Sequence, residues 1–231
     1  MRARLHHVDD ATPRLKTFWF EPEGTLRFEA GQYVEVTVPH DNADDRGPTR
    51  WMSLVNAPGE KLLGILCAFP ENCSTYKRAL LALKPGDVVT FGEPIGDFVL
   101  PKSASVPMAF VIGGVGIAPV RSIVEELHAH GESRPLQLIY SVSAPNEVAF
   151  ASTFQKYPTL DYMPIVTHPP ENWNGLSGRL TAERALELIG QTAGKIIYLC
   201  GPQSLIEPLF YDMLRLGVPR AQLVLDYFPG Y

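Results

Sequence analysis

Cysteine is scarce in this chain of 231 residues. Cys67, Cys73 and Cys200 are scattered and odd in number, so they form no disulfide framework and no spaced zinc or iron–sulfur set. The six histidines do not substitute: His128 and His130, two apart on an expected helix, face differently. No protein-bound metal is expected. Positive charge is not in surplus either, with Lys+Arg 20 against Asp+Glu 25 and a net charge of −5; the pI near 5.7 excludes a general nucleic-acid binder. The longest apolar run, near Met108, is broken by glycines and too short for a transmembrane span. Met1-Arg2-Ala3-Arg4 leads into His6-His7 and two aspartates, which lacks the apolar core of a signal peptide and makes a cytoplasmic location the expectation. No internal repeat is visible. The remaining composition, 45% apolar and 19% charged, is that of an ordinary globular protein. The length suffices for one large or two modest domains.

From Leu5 to about Leu100 the signals are those of strands. Leu15–Phe20, Gln32–Val38, Trp51–Val55, Leu62–Phe69 and Asp87–Phe91 are short, β-branched or aromatic, and set apart by Pro and Gly turns. Five or six such strands with one helix interposed predict a small antiparallel β-barrel. That helix runs from about Thr75 to Leu83 with Ser74 as N-cap. Pro101–Pro107 is a linker by composition, giving domains of residues 1–101 and 102–231. Beyond it strands (108–112, 136–141, 161–166, 195–199, 222–225) alternate with helices (119–130, 147–156, 182–189, 204–216). This is the pattern of an α/β doubly wound parallel sheet that binds ligands at the carboxyl ends of its strands.

The chain is organised around Met108–Arg121. A buried-strand run ends in Gly113, Gly114 and Gly116, and a helical pattern follows with Pro119 at its opening. Strand, glycine turn and helix bring backbone N–H groups and a helix N-terminus onto an anion. Pro119 occupies the place of the third glycine of a G-x-G-x-x-G fingerprint, so that motif is not met. Arg121 in an acid-free first turn, and likewise Lys77 and Arg78 in the helix after Ser74, run against the helix dipole unless anions sit there. Two such starts in differently built domains point to two anionic groups; the bland alternative is two solvated basic turns.

Five motifs in this order resemble the ferredoxin–NADP reductase family of flavoproteins over nearly the whole chain. Arg50-Trp51-Met52-Ser53 is similar to its flavin motif, Cys73-Ser74-Thr75 to its flavin-phosphate helix start, and Gly113 to Pro119 to its pyridine-nucleotide turn. Cys200-Gly201-Pro202 matches its cysteine-glycine-proline element, and Asp226 and Phe228 the acid-x-phenylalanine ending of many bacterial members. The resemblance implies an FAD-dependent NAD(P)H oxidoreductase that moves hydride from NAD(P)H to flavin. Electrons then pass to a separate acceptor: a ferredoxin, an oxygenase component or a small molecule. It implies Ser53, Cys200 and Asp226 as the catalytic set. Flavin would be held by Arg50, Trp51, Met52, Ser53, Cys73, Ser74, Thr75, Lys77 and Phe228. Gly113, Gly114, Gly116, Ile117, Ser141, Ser143, Arg179, Cys200, Gly201 and Pro202 would hold NAD(P)H.

Met52 and Cys73 depart from the family pattern, Cys73 standing where relatives often have glycine, and the choice of nicotinamide cofactor stays open. Met52 replaces the family's ring-packing aromatic; methionine fills the space through its polarizable sulfur, less rigidly. Trp51 is expected on the opposite strand face, as barrel packing. Ser141-Val142-Ser143 carries no cation for a 2′-phosphate, which leaves Arg179 as the nearest candidate and NADH as admissible as NADPH. The alternatives are a flavin or ferric-chelate reductase, for which flavin is a loosely held substrate, and a non-enzymatic nucleotide-binding module that has lost flavin.

Overall fold

The computed structural model of the protein describes residues 1–226. The first half folds as an antiparallel sheet from β1 (Arg2–Asp10), β2 (Leu15–Pro22), β3 (Tyr33–Thr37), β4 (Thr49–Ser53), β5 (Leu63–Ala68) and β6 (Val88–Phe91), in the order β4-β3-β6-β1-β2-β5. An antiparallel bridge between Leu54 and Ile65 brings the two edges together, so the sheet curls into a barrel and leaves no long free edge. Inward residues alternate as the pleat demands. Ala3, Leu5, Phe18, Phe20, Val34 and Val36 are all buried in one cluster. Helix α1 (Thr75–Ala82) covers this core with Tyr76 and Leu80.

β1 escaped the list of expected strands. Its outward positions read Arg, Arg, His and Asp, and a bulge between Leu5 and His7 breaks its alternation.

The second half is a parallel sheet of β7 (Met108–Gly113), β8 (Leu136–Val142), β9 (Leu160–Val166), the two-residue β10 (Leu176–Ser177), β11 (Ile196–Cys200) and β12 (Leu223–Asp226). Its order is β10-β9-β8-β7-β11-β12. The connection reverses direction between β7 and β11, the crevice where doubly wound sheets take ligands. Helices α2 (Ile117–Ala129), α3 (Ala151–Lys156), α4 (Ala182–Ile189) and α5 (Gln203–Arg215) cover its faces. β7 is buried at all six positions, which is why its sequence is a continuous apolar run and not an alternating one.

One expected helix is shorter than its pattern. The segment from Glu147 breaks after a 3-10 turn at Pro145–Glu147, and α3 begins only after Phe150, whose φ is 57°.

The halves are clamped by polar and apolar contacts. Ser122 Oγ donates to the Asn56 carbonyl (2.6 Å), and Tyr198 Oη donates to the Val99 carbonyl (2.6 Å). Phe98 packs against both Phe110 and Tyr198, which also touch each other. Because these partners are buried, the contacts fix one arrangement of the cleft between the halves.

Candidate functional site

The glycine turn and the Cys200-Gly201-Pro202 element meet at the β7/β11 crevice. Ile112 pairs with Cys200 in the sheet, so the two turns leave adjacent strands side by side. A Cβ on Gly116 would lie 2.4 Å from the Cys200 carbonyl oxygen, and one on Gly201 would lie 2.8 Å from the Gly113 carbonyl oxygen. Only glycine lets these backbones close together. Tyr140, buried on β8, donates its hydroxyl to the Gly114 carbonyl (3.0 Å) and steadies the turn from beneath. Ile117 does not serve as expected: its side chain is fully buried and its amide is directed back at the Gly114 and Val115 carbonyls.

Between this wall and the barrel lies a cleft of about 310 Å³. Gly114, Gly116, Cys200, Gly201 and Pro202 line one side; Trp51, Met52, Ser53 and Lys77 line the other. Trp51 corrects the expectation of barrel packing: the barrel core takes Met52, and Trp51 lines the cleft. It lies on the strand face opposite Met52, resting edge-on against Tyr33 at 5.3 Å, and that face borders the cleft. Met52 is 5% exposed and belongs to the barrel core as well as the cleft wall.

Sequence reasoning missed Thr12, Arg14, Leu66, Cys67, Ala68 and Glu147, which also line it. Arg14, in the β1–β2 turn, approaches Glu147 of the other half at 3.8 Å. Nothing in the local pattern of either residue marks that meeting.

Arg50 departs furthest from its expected place. It does not line the cleft, and its side chain is 5% exposed. Nη1 donates to the carbonyls of Gly47 (2.8 Å), Thr49 (2.7 Å) and Arg46 (3.2 Å). Nη2 donates to both carboxylate oxygens of Asp44 (2.8 and 3.0 Å), and the guanidinium lies over the Tyr76 ring.

The helix start at Ser74 is also engaged internally. Ser74 Oγ caps α1 by accepting from the Lys77 amide (3.3 Å), and Thr75 Oγ1 accepts from the Asp44 amide (3.0 Å). Cys73 Sγ is directed at the Pro70 carbonyl. Of the expected phosphate group, Lys77 alone lines the cleft among the described residues.

Arg121 is not aimed at an anion. It reaches the barrel, donating to the Val55 carbonyl (2.5 Å), pairing with Glu125 at 3.6 Å, and standing over the rings of Trp19 and Phe150. The missing acid in the first turn of α2 is therefore answered by an interdomain clamp.

Asp226 ends β12 in register with Cys200 and is 8% exposed. Its Oδ2 has no hydrogen-bond partner among the described residues. Burial without a cation carries its carboxyl from 3.8 up to about 7. Burial, and secondarily the Asp226 charge, pushes the Cys200 thiol well up. Cys200 is thus a protonated, apolar wall and not a nucleophile. Burial and the charges of Asp226 and Asp97 likewise raise Tyr33.

Of the nucleotide residues expected further out, Ser141 is buried beside Gly113 in the sheet and does not reach the cleft. Ser143 is exposed and its amide donates to Glu147 Oε2 (3.3 Å). Arg179 stands exposed after β10, at the edge of the sheet and two strands from β8. Phe228 lies outside the described residues. Among the described residues no group of three or more His, Cys, Asp or Glu could hold a metal, and no helix is long and apolar enough to cross a membrane.

Residues 110–209 match the oxidoreductase NAD-binding domain family. The chain is 28% identical to the phenol hydroxylase P5 protein of Acinetobacter pittii, across 93% of the chain and 61% of that protein. It is 30% identical to the aromatic O-demethylase reductase subunit of Amycolatopsis, across 79% and 55% respectively. The chain thus spans about three fifths of the length of such curated relatives. Its structure superposes on an Amycolatopsis cytochrome P450 reductase with a TM-score of 0.82 at 25% identity, covering 99% of this chain and 70% of that one. It also superposes on a ferredoxin NADP+ reductase from Neisseria gonorrhoeae, solved with FAD and NADP, with a TM-score of 0.80 at 23% identity and 98% and 97% coverage. A barrel joined to a parallel sheet with its glycine turn at the switch point, and an NAD-binding domain match over residues 110–209, give the chain the fold of ferredoxin–NADP reductases.

Proposed function

We propose that the chain is an NAD(P)H-dependent flavoprotein oxidoreductase, with a flavin-binding barrel of residues 1–101 and a nucleotide-binding half from 102 onward. One observation carries this reading. A single cleft has the Trp51-Met52-Ser53 strand on one wall, and the glycine turn and Cys200-Gly201-Pro202 on the other. When bound, flavin supplies the two-electron acceptor that amino acid side chains lack.

The chain's own residues perform the rest. The mutually packed glycines let the backbone of 113–116 approach a nucleotide, with the start of α2 behind it. Ser53 presents a hydroxyl at the cleft end of β4. Cys200, held protonated, packs without competing chemically, and Asp226 keeps a proton close behind it near neutral pH.

We take NADH as the donor. Glu147 places a carboxylate at the Ser143 amide, where a 2′-phosphate would need a cation. The acceptor is a separate protein or small molecule, in keeping with the reductase components and subunits among the relatives.

The test is titration of the purified protein with FAD, followed by anaerobic addition of NADH or NADPH. Uptake of FAD and faster bleaching by NADH are expected. A protein that takes up no flavin is not this enzyme. One observation favours a second reading, in which flavin is a dissociable substrate as in flavin or ferric-chelate reductases: the expected phosphate arginine, Arg50, is drawn away from the cleft.

A further inference from the structure

The loop between β3 and β4 reads Asp41-Asn42-Ala43-Asp44-Asp45-Arg46-Gly47 and folds over both features that the resemblance assigns to the flavin phosphates. Asp44 is its pivot. Both oxygens of its carboxylate accept from one terminal nitrogen of Arg50, Nη2, a charge-assisted contact of the kind a phosphate oxygen would otherwise make. Its amide is tied to Thr75, the first residue of α1. Three carbonyls occupy the other terminal nitrogen of Arg50. Arg46 also pairs with Asp44, at 3.4 Å. Partial burial tends to raise the Asp44 carboxyl. The hydrogen bonds from Arg50 and the Arg46 amide, with both guanidinium charges, outweigh that and hold it below the usual carboxylate range. It is therefore ionised throughout the neutral range and never releases Arg50 by protonation there.

We propose that Asp44 is a built-in competitor for the phosphate of the flavin. It occupies Arg50 in place of that phosphate, so the chain holds phosphorylated flavins as exchangeable ligands and discriminates poorly between them and riboflavin. This rests on the flavin reading above and deepens it. The ring end of the site is complete and open to the cleft, as Ser53, Met52 and Trp51 show. The phosphate end is closed by the chain itself. A site competent only when an internal group is displaced shows its affinity lowered by the competent fraction. Removing the competitor therefore tightens only those ligands that use Arg50.

The experiment measures the dissociation constants of FAD, FMN and riboflavin by quenching of flavin fluorescence, for the full chain and for two variants. Asp44→Asn removes the competing charge with little change of shape. Asp45→Asn removes the same charge from an exposed neighbour and leaves the Arg50 pair intact. Expected is a tightening of FAD and FMN by about tenfold in Asp44→Asn. Riboflavin should stay unchanged in that variant, and all three ligands should stay unchanged in Asp45→Asn. If FAD binds equally or more weakly in Asp44→Asn, Asp44 orients Arg50 and the proposal is overturned. Equal tightening in Asp45→Asn would show general charge repulsion and overturn it too. If none of the proteins binds any of the three flavins, the flavin reading itself fails and this inference falls with it. That outcome differs from a riboflavin-binding protein whose FAD affinity ignores Asp44.

Discussion

Replacing Asp226 with asparagine is expected to abolish a specific pH dependence of stability. In the folded chain its carboxyl is raised from 3.8 to about 7 by burial at the end of β12. Below about pH 4 both folded and unfolded chains carry the proton, and the residue contributes nothing to the pH slope. Between about pH 4 and about pH 7 the unfolded chain has released it and the folded chain has not. The folded state then binds more protons, so stability falls as pH rises, by up to 1.36 kcal/mol per pH unit for one group. Over that window the loss is on the order of 4 kcal/mol, and above it the curve flattens. The remaining carboxylates contribute equally to wild type and variant, so the difference between the two isolates Asp226. Urea unfolding at intervals between about pH 4.5 and about pH 8.5 measures it. The Asp226→Asn protein should gain on the wild type steadily as pH rises and then hold a constant lead. The buried amide introduces a fixed offset, which leaves the slope untouched. Parallel curves for the two proteins would show that Asp226 is ionised in the fold and that its burial has been misjudged.

Gly116→Ala places a methyl group 2.4 Å from the Cys200 carbonyl oxygen; a cost of about 1–3 kcal/mol and a marked loss of NADH affinity by equilibrium titration are expected, with FAD uptake retained. Tyr140→Phe removes the hydrogen bond to the Gly114 carbonyl. It should cost about 1 kcal/mol in chemical denaturation and raise the KM for NADH more than it lowers kcat. Arg121→Ala breaks the clamp to Val55, Trp19 and Phe150. It should lower the melting temperature and make proteolysis at the segment joining the halves faster, whereas a nucleotide-binding role would leave proteolysis unchanged. Cys200→Ala should slow reduction by NADH in stopped flow while leaving flavin binding normal; unaltered kinetics would reduce this residue to packing.

The architecture was legible because its signals are local. Continuous apolar runs such as Ala109–Ile112 can satisfy themselves only inside a parallel sheet, and their alternation with helical periods leaves few topologies. The errors arose where a local signal has a distant answer. An arginine in an acid-free first turn reads as an anion site from sequence, yet Arg121 finds its partner 66 residues away, at the Val55 carbonyl. Resemblance assigns Arg50 to a phosphate, with a salt bridge as the alternative, and its partner is a carboxylate only six residues upstream. Sequence shows that an Asp and an Arg are near each other along the chain, and not that the loop between them closes so that Arg50 Nη2 meets both Asp44 oxygens. Phe150 illustrates the same limit for a helix: its left-handed backbone interrupts a sound helical pattern where its ring meets Arg121. For both arginines the electrostatic demand was read correctly while its source was not. Because a guanidinium donates in its plane to a carboxylate, a carbonyl or a phosphate and stacks its face on a ring, only the folded chain shows which of these it has. That ambiguity is also what allows Asp44 to stand in for a ligand's phosphate.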